Sequence, residues 1–215
     1  MIKLSNDLFK FDKTFVTDYL IGTDEAGRGP AAGGVFAAAV HFKNLNFENE
    51  LTLLNDSKQL TPKKREELYD IILKETDNSV VCVEVEDIEK YNILNCSLKA
   101  MKLACTNILP KDIKDSLTIV DGNKLIKEYE FSQQFIVKGD SKSASIAAAS
   151  ILAKVARDRY MQKLDEEFPQ YNWRKNNGYL TKEHIEAIKK YGITKYHRKS
   201  FLKNILNETK QLKLI

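Results

Sequence analysis

Tyr19-Leu20-Ile21-Gly22-Thr23-Asp24-Glu25-Ala26-Gly27-Arg28-Gly29-Pro30 is an apolar run that ends in two acids and a glycine-rich turn. Residues 19–23 read as a buried strand that stops at Asp24. Adjacent residues of a regular strand face opposite ways. Asp24 and Glu25 therefore reach one site only if the strand ends or bulges there, which Gly27 and Gly29 permit. The order of strand, acid and break recurs twice. Residues 117–120 are apolar and stop at Asp121-Gly122, and residues 134–137 are followed by Lys138-Gly139-Asp140. If these strands lie side by side, their acids emerge together at one end of a sheet.

Between these strands the chain alternates in character. Residues 34–42 form a second apolar, strand-like run. Thr61-Pro62 opens a helix, with Thr as N-cap and Pro at the first helical position, and Leu68, Ile71 and Ile72 follow at helical spacing. Residues 79–86 alternate as a strand, with Val81, Val83 and Val85 on one face. Residues 95–108 read as a helix whose apolar surface comes from Leu98, Met101, Leu103 and Cys105. Residues 141–165 form another, Ala-rich at first and amphipathic later. This pattern predicts an α/β body over 1–165. A small, helical, basic C-terminal part over 166–215 follows, either as a separate unit or as part of one continuous domain. Thr181 opens a helix within it.

The 215 residues carry a net charge of +4, unevenly spread. Residues 151–215 hold 15 Lys and Arg against 7 Asp and Glu, a net +8, and the preceding 150 residues carry −4. That division suits a carboxylate centre in the body and a phosphate-binding surface in the tail, or simply a solvated basic face. The three cysteines, Cys82, Cys96 and Cys105, form no CxxC pair and read as buried reduced thiols. No membrane span or secretory signal is legible. These features lead us to expect a cytoplasmic monomer.

Clustered carboxylates repel: two unit charges roughly 4 Å apart cost about 4 kcal/mol at an effective dielectric near 20. Three or four of them need cations or protons. Oxygen ligands without a Cys or His cluster favour Mg²⁺ or Mn²⁺, and such sites suit phosphoryl chemistry. Taken singly, each acid reads more readily as a turn residue or helix cap, since turns are rich in Asp, and it is the recurring strand-end pattern that weakens that reading. The Gly27-Arg28-Gly29 loop is neither a dinucleotide fingerprint nor a Walker loop. It lets the backbone approach a sugar or phosphate while Arg28 supplies charge; the plain alternative is a tight turn with an exposed arginine.

The whole stretch 22–33 closely resembles the opening signature of the ribonuclease HII family. Further segments match in order: Asn55-Asp56-Ser57-Lys58-Gln59-Leu60; Tyr91-Asn92-Ile93-Leu94-Asn95 with Ser97-Leu98; Val120-Asp121-Gly122-Asn123; Lys138-Gly139-Asp140-Ser141-Lys142-Ser143 with the Ala-rich run after it; Gly178-Tyr179 with Thr181 and His184; and His197-Arg198 with Ser200-Phe201. The resemblance spans residues 18–203. Ala31 and Gly34 depart from the pattern beside the chemistry. Arg28 separates the chain from the sister family, ribonuclease HIII, whose loop carries Lys.

The resemblance implies a ribonuclease H-like fold, a mixed sheet flanked by helices with a helical C-terminal part. It implies that Asp24, Glu25, Asp121 and Asp140 are the catalytic acids and hold two divalent ions, Mg²⁺ or Mn²⁺. It implies an endonuclease that cuts the RNA of RNA:DNA hybrids, and cuts 5′ to single ribonucleotides in duplex DNA, leaving 3′-hydroxyl and 5′-phosphate ends. Gly27, Arg28 and Gly29 would read the ribose 2′-hydroxyl, and Tyr179 would pack on the neighbouring deoxyribose. Lys58 and Lys142 are matches that could contact phosphate, as could Lys195, Arg198, Lys199, Lys203 and His197 in the tail. His41 reads as structural, and His184 as a capping or catalytic residue. Two alternatives compete: a non-catalytic nucleic-acid-binding protein on the same scaffold, and a Mg²⁺-dependent phosphatase of small molecules.

Overall fold

The computed structural model describes residues 6–45, 50–55 and 57–212; Asp56 of the 55–60 motif lies outside them. Five strands form one mixed sheet: β1 (Tyr19–Ala26), β2 (Val35–Phe42), β3 (Thr76–Val83), β4 (Ser116–Asp121) and β5 (Ser132–Ile136). Their order is β3-β2-β1-β4-β5, antiparallel from β1 to β3 and parallel from β1 to β5. Eight helices accompany it: α1 (Asn6–Asp12), α2 (Pro62–Glu75), α3 (Val85–Tyr91), α4 (Ile93–Ile108), α5 (Ala144–Glu167), α6 (Trp173–Asn176), α7 (Lys182–Tyr191) and α8 (Lys203–Leu212). This is the α/β architecture expected.

Helices cover both faces of the sheet, which is why β2 reads as an unbroken apolar run. On one face α5 packs its Ala147, Ala148 and Ala149 near Ala38 and Val40, with α1 and α2 completing the layer. Small side chains let this helix sit on the strand backbone. A Cβ built at Gly22 would lie 2.3 Å from the Ser145 carbonyl carbon. On the other face α4 buries Met101, Ala104 and Cys105 against Ile21, Ala37 and Ala39.

Local chemistry sets the helix ends. Thr61 caps α2, accepting from the Lys64 amide at 3.3 Å, with Pro62 behind it as the sequence predicts. Ser143 caps α5, so that helix starts at Ala144 after a separate 3-10 turn, Gly139–Ser141. The buried Asp12 of α1 also accepts from the Ser145 amide and hydroxyl at 2.8 and 2.7 Å.

Four expectations need correction. β1 does not stop at Asp24: β2 pairs on past it, with Glu25 opposite Ala37 and Ala26 opposite Phe36. β3 begins at Thr76 and ends at Val83, and Val85 starts α3 instead of extending the strand, since helical spacing buries Val85 and Ile88 together. Leu103 is exposed on the outer side of α4. Cys82 is only half-buried, while Cys96 and Cys105 are buried; all three are free thiols.

The C-terminal segments share a core with the body. Tyr171, Trp173, Ala187, Ile188 and Leu202 pack with Ala31, Ala32, Met161 and Leu164. At its centre Trp173 Nε1 donates to His184 Nε2 at 3.0 Å, and the two imidazole Nε2 atoms of His184 and His197 are 3.2 Å apart. His184 Nε2 therefore accepts, its Nδ1 donates to the Tyr179 carbonyl at 2.9 Å, and His197 Nε2 carries a proton. Both rings are neutral and interior, so His197 does not face a substrate as the sequence suggested, and His184 is a core residue at a capped helix start. His41, with Nδ1 2.9 Å from the Leu20 carbonyl and its ring stacked on Tyr19, is structural as expected. Among the described residues no helix is long and apolar enough to cross a membrane.

Candidate active site

The end of the parallel ladder places the first acids. β1 and β4 run in register to Thr23 opposite Val120, so Asp24 and Asp121 are the next residue on each strand. β4 ends there while β1 continues beside β2 alone. Strand alternation then separates Asp24 from Glu25. Asp24 lies opposite Ala38 on the α5 side, and Glu25 opposite Ala37 on the α4 side. The ladder end resolves the difficulty that adjacency posed. With β4 finished, both carboxylates flank the same Asp121 without a bulge, and the charge of Asp121 acts on each of them.

Asp140 arrives from the other side. After β5, Lys138 takes a left-handed conformation (φ 55°) and the 3-10 turn follows. This turn aims the Gly139 and Asp140 amides at Asp121 Oδ1, at 2.7 and 3.4 Å. Glycine gives this turn room, since a side chain here would make the Ile146 side chain and the Asp121 carboxylate shift. A Cβ at Gly139 would come 3.1 Å from that same oxygen and 2.5 Å from Ile146 Cδ1.

Asp24 and Asp140 are buried and Glu25 is half-buried. Burial first, then the charges of Glu25 and Asp121, push the Asp24 carboxyl well above its usual range; the Ser150 hydroxyl and Glu25 amide act the other way. Burial also raises Glu25, against the opposing pull of Arg28. Two protein cations stand at the cluster: Arg28 Nη1 3.2 Å from Glu25 Oε1, and Lys58 Nζ 3.7 Å from Asp140 Oδ2. Lys142 folds back instead, donating to the Val137 carbonyl at 2.8 Å.

Among the described residues no three Asp, Glu, His or Cys side chains close into a ready ligand group. The donor set is nonetheless of the kind that suits a hard divalent ion. It offers carboxylate oxygens and no thiol or imidazole, and among the described residues Asp24 and Asp121 have no ion pair while Glu25 and Asp140 have one each.

Beside the acids the loop after β1 turns at Gly27 (φ 99°) and exposes Arg28 and Gly29. Tyr179 stands over it, half-exposed, with its Cε1 3.3 Å from where a Gly29 Cβ would be. Backbone bonds hold the two together: the Ala31 amide donates to the Gly178 carbonyl at 2.9 Å, and the Gly33 amide to the Tyr196 carbonyl at 2.9 Å.

Sequence reasoning missed the residues that support these groups. Ser150 beside Asp24 pairs with Ser57 at 2.9 Å. Arg65 Nη1 grips the Ser57 and Leu60 carbonyls at 2.9 and 2.7 Å, fixing the turn that carries Lys58. Arg198, expected at a phosphate, is wholly buried behind the loop, as is Arg157. Lys195, Lys199 and Lys203 are exposed, as a phosphate-contacting role requires. Ser57, Ser150, Arg157 and Arg198 fall in segments that the resemblance marks, and Arg65 does not.

The ribonuclease HII family profile matches residues 21–204. The ribonuclease HII of Fusobacterium nucleatum is 51% identical over 212 residues, covering 98% of this chain and 96% of that one. The crystal structure of ribonuclease H2 from Pyrococcus horikoshii superposes with a TM-score of 0.73 at 27% identity, covering 89% of this chain and 99% of that one. A Bst ribonuclease HIII crystallised with Mn²⁺ shares the fold at a TM-score of 0.71 and 17% identity, over 90% of this chain and 70% of that one. This ordered match of motifs, sheet and whole-chain relatives means that the chain belongs to the ribonuclease HII family and is a ribonuclease H, a hydrolase and nuclease.

Proposed function

We propose that this ribonuclease H cuts duplexes 5′ to a ribonucleotide, a single one embedded in DNA included, leaving 3′-hydroxyl and 5′-phosphate ends. Asp24, Glu25, Asp121 and Asp140 are its catalytic acids and hold two divalent ions, Mg²⁺ or Mn²⁺. The family's action on RNA in hybrids and its dependence on divalent metal support this reading. The observation that carries it is Asp121 at the end of β4, whose charge acts on Asp24 and Glu25 and whose Oδ1 accepts from the Gly139 and Asp140 amides, beside an exposed glycine loop.

Each residue has a physical task. When bound, the ions supply Lewis-acid stabilisation of in-line displacement at phosphorus. Asp121 holds the 139–141 turn through its Oδ1, so that Asp140 is fixed relative to β4. Arg28 and Lys58 bring positive charge to the rim, where a phosphodiester approaches. Lys142 adds charge further out. The exposed Gly27-Arg28-Gly29 backbone reads the 2′-hydroxyl that separates RNA from DNA. Tyr179, held over Gly29, offers a ring face to the next deoxyribose. Residues 1–165 form the catalytic body and residues 166–215 the basic C-terminal part, and the protein works as a monomer in the cytoplasm.

Cut mapping tests the reading. A DNA duplex with one ribonucleotide, incubated with Mg²⁺ and the protein, is expected to yield a single break on the 5′ side of that residue. A break on the 3′ side, or cleavage of uniform hybrids alone, would contradict it. Binding without any cleavage in Mg²⁺ or Mn²⁺ would favour the non-catalytic alternative.

A further inference from the structure

Two arginines lie buried directly behind the Gly27-Arg28-Gly29 loop, and neither forms an ion pair among the described residues. Both spend their guanidinium groups on backbone carbonyls. Arg198 donates from Nη2 to the carbonyls of Gly27 (2.7 Å), Gly33 (2.7 Å) and Gly34 (3.2 Å), from Nη1 to that of Arg28 (3.1 Å), and from Nε to that of Gly33 (2.9 Å). Arg157 of α5 donates to the carbonyls of Ala32 (3.1 Å), Asn177 (3.0 Å) and Gly34 (3.4 Å). A buried charge without a counter-ion is costly. Burial and the neighbouring charge of Arg157 depress the Arg198 guanidinium to about 10. Core packing alone would not favour two such groups side by side.

The arrangement has a consequence for the loop. Its carbonyls at 27, 28, 33 and 34 are turned inward onto Arg198, while the amides of Arg28 and Gly29 find no acceptor in the chain among the described residues. Arg157 links the same loop to Asn177, two residues before Tyr179. Loop and aromatic ring are thus set relative to each other by guanidinium bonds. Arginine suits this task, because its planar fork reaches several acceptors in one fixed geometry.

The geometry points to Arg198 as a positioning residue for ribonucleotide selection: its guanidinium orients the 27–34 backbone so that the loop meets a 2′-hydroxyl in one register. This rests on the reading of the loop given above. Lysine at 198 keeps the charge but reaches fewer carbonyls, and glutamine keeps a donor without the charge.

The test uses the full chain, its Arg198→Lys and Arg198→Gln variants, and two substrates: a DNA duplex with one ribonucleotide and a uniform RNA:DNA hybrid. Misplacing a reacting group by about 1 Å can cost on the order of 100-fold in rate. The expected result for folded Arg198→Gln is a kcat on the single-ribonucleotide duplex lowered roughly 10- to 100-fold, with KM little changed. The loss should be smaller on the hybrid, which presents a 2′-hydroxyl in every register, and Arg198→Lys should recover part of it. Equal losses on both substrates, losses that track the folded fraction by circular dichroism, or failure of both variants to fold would make Arg198 a purely structural residue and overturn the proposal. Wild type that cuts hybrids but not the single-ribonucleotide duplex would instead overturn the reading of the loop. Arg198 would then be judged by kcat on the hybrid, where wild-type turnover in folded variants sinks the proposal.

Discussion

Asp121 is the acid on which the others depend, because its carboxylate also holds the turn bearing Asp140. Replacing it by Asn keeps an acceptor for the Gly139 amide but removes the charge. Cleavage should fall by more than about 100-fold, beyond the usual cost of losing a group that merely supports a metal ligand. Duplex binding without metal should persist; gel shift and single-turnover kinetics separate the two. The acids themselves were legible in the sequence, because each follows a strand-like run and precedes a break. The inward roles of Ser150 and Arg198 were not, although both fall in matched segments: each acts on a residue far along the chain, and only the packed structure shows which polar side chains turn inward.

At the level of elements, the Gly27 turn is where the loop is most exposed to damage. Its φ of 99° disfavours any side chain, and a Cβ there would lie 2.2 Å from Arg157 Nε. Gly27→Ala should therefore cost about 1–3 kcal/mol of stability from backbone strain alone, and should loosen the loop at Arg157. A urea midpoint unchanged from wild type would contradict this. The helices were read well from sequence where a cap announced them, as at Thr61 and Thr181. The acids and glycines after Thr23 look like a strand terminus in the sequence. In fact β2 supplies a partner through Ala26, and what ends at Asp24 is the neighbouring strand's pairing. The boundary between β3 and α3 was misplaced because Val81, Val83 and Val85 alternate as well as a strand does, while Val85 and Ile88 also fit a helix.

Across the whole molecule, the C-terminal part carries a neutral histidine pair at the centre of the core that it shares with the body. Burial lowers both imidazoles, His197 to about 3. The unfolded chain binds these protons near pH 6.5 and the folded chain does not, so stability is present above that pH and is lost as pH falls toward 3. For His197 alone the loss is on the order of 5 kcal/mol. Asp12, raised to about 6 by burial, works in the opposite sense, favouring the fold as pH falls below 6, as do the raised Asp24 and Glu25 carboxyls. Trp173, the single tryptophan, donates to His184 and reports the event directly. Its fluorescence should change between about pH 6.5 and 3 in wild type. In a His197→Gln variant the change should shrink, and an identical acid transition in the two proteins would exclude the histidines as its cause. The basic tail was visible in the sequence as charge, but its hydrophobic underside was not. A chain ending at residue 165 would expose Ala31, Ala32, Met161 and Leu164, and we expect it to be insoluble, which expression and light scattering would reveal.

The claim at the centre of this account is that the acids at the end of β1 and β4 hold the divalent ions. Anomalous diffraction from crystals grown with Mn²⁺, and with a duplex whose scissile linkage resists hydrolysis, tests it most directly. Two peaks about 3.5–4 Å apart, ligated by carboxylates of Asp24, Glu25, Asp121 and Asp140, are the predicted result. Mn²⁺ bound elsewhere, with the duplex in place and these four carboxylates unligated, would contradict it.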